Sequence, residues 1–301
     1  MVAIDLGSNS LRLLHYVCET KEVRFSFEKG VKTAEGLVES GEISPLATQR
    51  VIEALQEAIA QIEGFERERV VAYTTEAIRQ AQNATHILEE IARHTGVRFE
   101  IISGDKEARL TELAVKMRLE ALGLHYASYM QLDIGGASTE MSWVSPQGVI
   151  RKSFPLGIVT VAESYPTQIA LEEALSNLLL PMQAFVESLK IETIPMLVAT
   201  SGTPTTVASL YLGLSYATYD ASKVNGCLLP HSALFEAMKT LFDMSEEERE
   251  EAVGVGRWEL IVVGILLFEA FYRLLEVDVS VVIDDGLREG IALESCLENR
   301  H

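Results

Sequence analysis

Two stretches of the sequence place an acid, a glycine and a serine at the same spacing after an apolar run. They are VAIDLGSNS, residues 2–10, and QLDIGGAST, residues 131–139. Glycine in a turn lets phosphate oxygens approach the main-chain amides, and an aspartate beside the turn can hold a divalent metal through its oxygens. The repeat predicts two related phosphate-binding turns, whose matched positions are Asp5 and Asp133, Gly7 and Gly135, and Ser10 and Ser138.

A third turn rich in glycine and hydroxyl groups, SGTPTT at 201–206, follows the apolar run MLVAT, residues 196–200. It includes Thr203. Any one turn of this kind is commonly no more than a chain reversal. Three of them after predicted strands, two of them related to each other, favour phosphate binding.

Charged side chains near these turns could complete such a site. Arginine binds phosphate oxygens bidentately, although a solvated or ion-paired arginine is the commoner case. Glu107 lies in the first turn of a predicted helix, where the helix dipole alone favours an acid. Attack of water on phosphorus would give the same residue a role as a base. The arginines close to predicted strand ends or helix starts are Arg79, Arg109, Arg257 and Arg288.

The composition of the chain excludes several functional classes. Its 301 residues, 48% of them hydrophobic, are enough for two domains with sizeable cores. The net charge of −19 argues against binding to DNA, RNA or an anionic membrane, because those partners need clustered lysine and arginine. The histidines have no spacing typical of metal ligands, and no Walker or Gly-x-Ser-x-Gly motif occurs.

The cysteines and the most apolar run bear on the location of the protein. Cys18, Cys227 and Cys296 are odd in number and far apart, so we expect buried, reduced thiols, as in a cytoplasmic protein. No signal peptide is recognised. The run LIVVGILLF at 260–268 is too short to cross a bilayer and predicts a core helix.

The predicted elements follow the same order in both halves of the chain, with three strands preceding the strand–helix units. This early meander separates the chain from a Rossmann domain, which enters a helix at its glycines. The order predicts an α/β protein with a mixed sheet and covering helices in each half. The meander strands are expected at 2–5, 11–17 and 22–28, and at 128–133, 140–144 and 148–154.

Seven blocks of sequence, in order over nearly the whole chain, resemble the exopolyphosphatase and guanosine pentaphosphate phosphohydrolase (Ppx/GppA) family of the actin, Hsp70 and sugar-kinase superfamily. The blocks are AIDLGSNSLRL at 3–13, TEAIRQAQN at 75–83, IISGDKEARL at 101–110, LDIGGASTE at 132–140, PLGIVTVAE at 155–163, SGTPTTVASL at 201–210 and DDGLREG at 284–290.

The resemblance implies two ribonuclease-H-like (actin-like ATPase) domains. Each would contain a mixed five-stranded sheet with helices, and the active site would lie in the cleft between them. The expected domains are residues 1–122 and 123–301, and the final helix, 286–301, could pack back on the first.

The resemblance also implies hydrolysis of a terminal phosphate from inorganic polyphosphate or guanosine pentaphosphate with Mg²⁺. It makes Glu107 the base for the attacking water, Arg79 a phosphate ligand, and Asp133 a residue that positions metal and water. Glu140 and Asp5 are further candidate metal ligands. The expected phosphate-binding residues are Ser8, Asn9, Ser10, Gly135, Gly136, Ala137, Ser138 and Thr203.

Three positions depart from the family pattern. Lys106 stands where an acid often precedes the base, Asn225 where histidine is expected, and Ala137 where glycine is usual, which is tolerable if its φ is negative. Two other functions remain open, namely a kinase or phosphotransferase of the same fold and a non-catalytic sensor that binds guanosine tetra- or pentaphosphate. A homodimer is compatible with the sequence.

Overall fold

Two mixed β-sheets form the framework of the protein. The structure is a computed structural model and describes residues 1–298. Its strands are β1 (Val2–Leu6), β2 (Ser10–Val17), β3 (Glu22–Gly30), β4 (Val70–Thr74), β5 (Phe99–Ile101), β6 (Tyr129–Ile134), β7 (Thr139–Ser145), β8 (Gly148–Phe154), β9 (Leu197–Thr200), β10 (Cys227–Pro230) and β11 (Val279–Val282).

The helices begin and end largely where local signals predict. Ser44 caps one of them, with its hydroxyl accepting from the Ala47 amide at 3.1 Å, and Gly96 ends another with a φ of 76°. The helices are α1 (Leu37–Ser40), α2 (Pro45–Ala60), α3 (Glu76–Gln80), α4 (Ala84–Thr95), α5 (Gly104–Ala121), α6 (Ile158–Ser164), α7 (Gln168–Leu178), α8 (Leu180–Ser188), α9 (Gly202–Tyr211), α10 (Ala221–Val224), α11 (Ser232–Asp243), α12 (Glu246–Val253), α13 (Trp258–Leu274) and α14 (Leu287–Glu298).

The first sheet has five strands in the order β3-β2-β1-β4-β5. The meander β1-β2-β3 is antiparallel, and β4 and β5 continue the sheet parallel to β1. The predicted meander followed by strand–helix units is therefore confirmed. Parallel neighbours also bring the carboxyl ends of β1, β4 and β5 to one edge of the sheet.

The second sheet repeats this topology but adds a strand. Its order is β10-β11-β9-β6-β7-β8, in which β8-β7-β6-β9-β11 matches the whole first sheet. The expectation of five strands in each sheet is wrong here, because β10 pairs antiparallel with the edge of β11. Strand β10 is only four residues long and contains Pro230, so its sequence carries a weak strand signal.

Packing divides the chain into two compact units. Within the described residues, one contains Met1–Ala114 and 286–298, and the other contains Val115–Asp285. The division falls within α5, whereas the domain boundary after residue 122 remains a sequence-based prediction. The core of the first unit includes Ala3, Leu14, Ile102, Leu110, Leu287 and Ile291, and that of the second includes Val115, Leu119, Tyr129, Val198, Val281 and Ile283.

The expectation of three reduced cysteines is wrong for two of them. Cys18, just after β2, forms a disulfide with Cys296 of α14, and their Cα atoms are 5.4 Å apart. Because 278 positions separate them in sequence, their spacing gave no sign of the pairing. Cys227 is free and buried, and burial raises the pKa of its thiol. The disulfide joins α14 to the first sheet within one unit.

Helix α13 contains the most apolar run of the chain, and most of that run is buried, as expected for a core helix. Within residues 1–298, no helix combines the length and the apolar character that crossing a membrane requires.

Candidate active site

The turn between β1 and β2 is a tight four-residue reversal held by its own backbone. The Gly7 amide donates to the Ser10 carbonyl at 3.0 Å. The carbonyls of Ser8 and Asn9 accept hydrogen bonds of 2.8–2.9 Å from amides of the segment 31–34. Since these carbonyls are occupied, the turn is fixed before any ligand arrives. Ser8 is buried, while Gly7, Asn9 and Ser10 are partly exposed.

The turn between β6 and β7 has the same construction. The Gly135 amide donates to the Ser138 carbonyl at 2.9 Å, which matches the bond between Gly7 and Ser10. The start of α6 supports this second turn, because amides of Ile158 and Val159 donate to the carbonyls of Gly135 and Gly136 at 3.0 and 2.8 Å. The sequence repeat therefore corresponds to a structural repeat.

Ala137 does not adopt a positive φ, so the replacement of glycine is tolerated as expected. The residue that requires glycine lies opposite it. A Cβ atom on Gly157 would be 2.3 Å from the Ala137 amide nitrogen. Gly157 is not among the site residues predicted from the sequence, although it lies within the block PLGIVTVAE.

Two carboxylates face each other beside the second turn. Asp133 of β6 and Glu140 of β7 are direct cross-strand partners. Glu140 is 4% exposed, and its Oε1 accepts a hydrogen bond of 2.6 Å from Ser153 Oγ. Like charges placed opposite each other are unfavourable unless a cation lies with them. The oxygen donors suit Mg²⁺, which keeps several water ligands and needs only one or two carboxylates.

The pair does not by itself make a full coordination shell. Within the described residues, no group of three or more His, Cys, Asp or Glu side chains is arranged to hold a metal ion. Asp5, the match of Asp133 in the first hairpin, lies opposite Arg12 instead of an acid. The predicted metal ligands Asp133 and Glu140 thus lie side by side, whereas Asp5 lies in the other unit with a cationic neighbour.

Glu107 lies in the first turn of α5 and is partly buried. Its amide donates to the Ser103 carbonyl at 2.9 Å, and the Lys106 amide donates to Ser103 Oγ at 3.2 Å. Ser103 therefore caps the helix, a role that the sequence analysis did not assign. The positive end of the helix dipole favours the anionic form of an acid at this position.

Arg79 reaches the same helix start from α3. Its Nη1 donates to the Ile102 carbonyl at 2.5 Å, and its Nη2 forms an ion pair with Glu76. The first unit therefore brings Arg79 to the β5–α5 connection, two residues before the start of α5, whose first turn carries Glu107. A phosphate bound at Arg79 would compete with Glu76.

Lys106 is directed toward the first sheet. Its Nζ lies 4.0 Å from the centroid of the Tyr73 ring and 3.3 Å from Glu100 Oε1. Burial alone would lower the pKa of Lys106, but its hydrogen bonds with Tyr73 and Glu100 outweigh burial and raise the pKa. The ammonium group therefore stays charged beside the base candidate.

The third predicted turn places Thr203 against α13. Thr203 is fully buried, and its Oγ1 would lie 2.1 Å from a Cβ atom on Gly264 of α13. Its side chain packs against α13, and phosphate binding by its hydroxyl remains a prediction. Ser201 makes the turn, with a φ of 86° and an Oγ that donates to the Ile134 carbonyl at 2.9 Å.

Asn225, at the position where the family pattern has histidine, has a structural contact. Its Oδ1 accepts from the Asp284 amide at 2.8 Å. The neighbouring Asp285 forms two hydrogen bonds with Arg118, of 2.5 and 2.9 Å. These contacts hold the turn after β11 in the second unit.

Comparison with known proteins identifies the family of the chain. The model of the Ppx/GppA phosphatase family matches residues 17–299. The chain is 28% identical to exopolyphosphatase 1 of Mycobacterium leprae, over 96% of this chain and 87% of that protein. It is 27% identical to the guanosine-5'-triphosphate,3'-diphosphate pyrophosphatase of Vibrio vulnificus, over 99% of this chain but only 59% of that protein.

A solved structure shows the same fold over the full length. The Aquifex aeolicus member of the Ppx/GppA family superposes with a TM-score of 0.75 and 28% identity, covering 100% of this chain and 98% of the other. The expected pair of actin-like α/β domains is confirmed at the level of fold. The chain belongs to the Ppx/GppA phosphatase family and is a hydrolase of that family.

Proposed function

We propose that this protein releases the terminal phosphate from inorganic polyphosphate or from guanosine pentaphosphate. The observation that carries the proposal is the repeated hairpin turn, in which Gly7 and Gly135 make the same bond to a serine carbonyl. Each turn presents backbone amides and serine hydroxyls at a strand end, as an anion-binding turn does. The names of the relatives from M. leprae and V. vulnificus supply the two substrates.

Glu107 is the proposed base. It holds a water molecule in line with the terminal phosphorus and takes its proton as the new phosphorus–oxygen bond forms. The bond to the remaining phosphate chain then breaks, and that chain leaves as an anion. Glu107 lies in the first turn of α5, where the helix dipole favours a negative charge.

The phosphate groups are held by the turns. Ser8, Asn9 and Ser10 are proposed to bind them in the first unit, and residues 135–138 in the second. Arg79 stabilises the transferred group after exchanging Glu76 for phosphate oxygens.

Phosphatases of this family are metal-dependent in general, and we propose Mg²⁺ as the metal. Asp133 and Glu140 would hold it, and Ser153 keeps Glu140 in place. The ion supplies positive charge that offsets the charge of the phosphate oxygens. Asp5 is a third candidate ligand.

We further propose a cytoplasmic protein that binds phosphate compounds and neither nucleic acid nor membrane. The net charge of −19 supports the exclusion of polyanionic surfaces. A disulfide such as Cys18–Cys296 is uncommon in the cytoplasm. Its redox state in cells is therefore a direct test of the location.

The test of the function is Glu107→Gln, which keeps the size of the side chain and removes the base. We expect phosphate release from both substrates with Mg²⁺ to fall by about 10²–10⁴-fold, the usual contribution of a general base. Glu120→Gln, an exposed residue of the same helix, is the matched control. Near wild-type turnover in Glu107→Gln would refute the assignment.

Two outcomes with the wild-type protein would favour the other functions. Tight binding of guanosine pentaphosphate with no turnover would indicate a sensor. Phosphate transfer that requires an acceptor other than water would indicate a kinase.

A further inference from the structure

An aromatic ring and a guanidinium group form a stack in the second unit, outside the phosphate turns. The guanidinium carbon of Arg257 lies 5.3 Å from the centroid of the Tyr216 ring, a cation–π distance. Tyr216 is 53% exposed, so the ring remains accessible to a ligand. The sequence indicates Arg257 as a candidate phosphate ligand, but neither Tyr216 nor Arg257 has a role in the proposed chemistry.

The ring is held in place by its backbone and by a glycine. The Tyr216 amide donates to the carbonyl of Ala252, at the end of α12, at 3.0 Å. Gly254 follows with a φ of 95°, and a Cβ atom there would lie 3.2 Å from Tyr216 Cδ2 and 3.0 Å from Arg257 Cδ. Only glycine fits here without displacement, so the stack is formed before any ligand binds.

The stack lies near the carboxyl ends of β6 and β9, where the second phosphate turn also lies. Asp133 of β6 is the parallel partner of Thr200 of β9. The next residue, Ser201, donates its hydroxyl to the Ile134 carbonyl at 2.9 Å. Gly202 then starts α9, and a Cβ atom there would lie 3.8 Å from Arg257 Nη2. These contacts connect Asp133, a candidate metal ligand, through Ser201 and Gly202 to Arg257 and the Tyr216 ring.

The positive charge of the Arg257 guanidinium group favours binding of an anion. Within residues 1–298, no carboxylate forms an ion pair with this half-buried guanidinium, which lies over the ring of Tyr216. By contrast, Arg273 in the last turn of α13, the helix that Arg257 precedes, is paired with Glu269 at 2.5 Å. A half-buried cation without a carboxylate partner is unusual in a chain with 44 acids and 25 bases.

We propose that Tyr216 and Arg257 recognise a purine nucleoside polyphosphate, with the base stacked on the open part of the Tyr216 ring and a phosphate bound by Arg257. Bare polyphosphate has no ring to stack, so the stack makes the guanosine pentaphosphate class the preferred substrate. This inference rests on the proposed hydrolase function and selects between its two substrates.

The experiment compares KM for guanosine pentaphosphate and for tripolyphosphate in four proteins. They are the wild type, Tyr216→Phe, Tyr216→Ala, and Tyr211→Ala as control, since Tyr211 is also 53% exposed and lies at the end of α9. Loss of base stacking in Tyr216→Ala is expected to raise KM for the nucleotide about tenfold. The KM for tripolyphosphate should change by less than about twofold, because it has no base to stack. Tyr216→Phe, which keeps the ring, should have a lower KM for the nucleotide than Tyr216→Ala, and Tyr211→Ala should resemble the wild type.

The proposal is overturned if Tyr216→Ala changes neither KM, or changes both equally, or if Tyr211→Ala gives the same loss. Equilibrium binding of guanosine tetraphosphate to the same four proteins, measured by calorimetry, gives a readout without turnover. Weaker binding in Tyr216→Ala alone would support the stack even if no substrate were hydrolysed. Failure of the hydrolase proposal is thereby distinguished from failure of this one.

Discussion

Replacing Gly157 by alanine perturbs the second phosphate turn by a single methyl group. The backbone of Gly157 is extended, with a φ of −137° and a ψ of 162°, so alanine causes no backbone strain. The cost is steric. The new Cβ atom would lie 2.3 Å from the Ala137 nitrogen and 2.4 Å from the Gly136 oxygen, both of them backbone atoms that no side-chain rotation can move.

An ordinary van der Waals contact is 3.4 Å or longer, so the turn and the start of α6 must separate by about 1 Å, with the usual cost of overpacking. That movement also strains the two hydrogen bonds from Ile158 and Val159 to the turn. A misplacement of about 1 Å in a group that positions substrate costs roughly 100-fold in rate. Overpacking destabilises a protein by about 1–3 kcal/mol.

We therefore expect Gly157→Ala to lower kcat/KM for phosphate release about 100-fold and to lower Tm by a few degrees. Gly30→Ala is the matched control, because a Cβ atom at Gly30 would meet nothing within 4 Å. Activity within threefold of wild type together with an unchanged Tm would refute the steric argument. A lower Tm with full activity would instead refute the role of the turn in binding phosphate.

Two further predictions concern contacts outside the turns. Ser153→Ala removes the 2.6 Å hydrogen bond to Glu140. We expect the Mg²⁺ concentration for half-maximal activity to rise about tenfold, as for other residues that orient a metal ligand. An unchanged Mg²⁺ titration would argue against Glu140 as a ligand. Cys296→Ser removes the disulfide with Cys18, which closes a very long loop of chain. We therefore expect a lower Tm that no longer responds to a thiol reductant. A reductant-sensitive Tm in this variant would contradict that reasoning.

The order of elements and the repeat were predictable because both depend on local sequence patterns. Apolar runs of strand length, glycine-containing turns and helix caps such as Ser44 recur in the same order in each half. The match between Gly7 and Gly135 then predicted a common turn, and the structure shows the same hydrogen bond in both. Periodicity thus gave the topology of both meanders.

Long-range contacts were not predictable in the same way. The disulfide of Cys18 depends on where α14 packs, and β10 depends on a free edge of β11 more than on its own four residues. Thr203 lies in a turn with the composition of a phosphate-binding turn, but its side chain packs tightly against Gly264. Composition predicts what a residue can do, whereas packing decides which direction it faces.

The two hairpins share a backbone but differ in charge, and this difference bears on where metal binds. The register pairs Asp133 with Glu140 in the second unit and Asp5 with Arg12 in the first. A guanidinium as cross-strand neighbour favours a charged carboxylate, whereas a second carboxylate as cross-strand neighbour disfavours it, and a bound cation relieves that repulsion. Both aspartates are candidate metal ligands in the sequence, but their cross-strand neighbours favour Asp133 as the ligand.

Matched substitutions separate the two aspartates. Asp133→Asn should raise the Mg²⁺ concentration for half-maximal activity at least tenfold, because the amide keeps the shape but loses the charge that holds the ion. Asp5→Asn should leave that concentration within about twofold and act instead on Tm, because at 9% exposure Asp5 is a buried charge opposite Arg12. Mg²⁺ titrations of phosphate release and thermal unfolding curves measure the two effects. Equal shifts in Mg²⁺ dependence would place both aspartates at the metal, and the argument from the cross-strand neighbours would then fail.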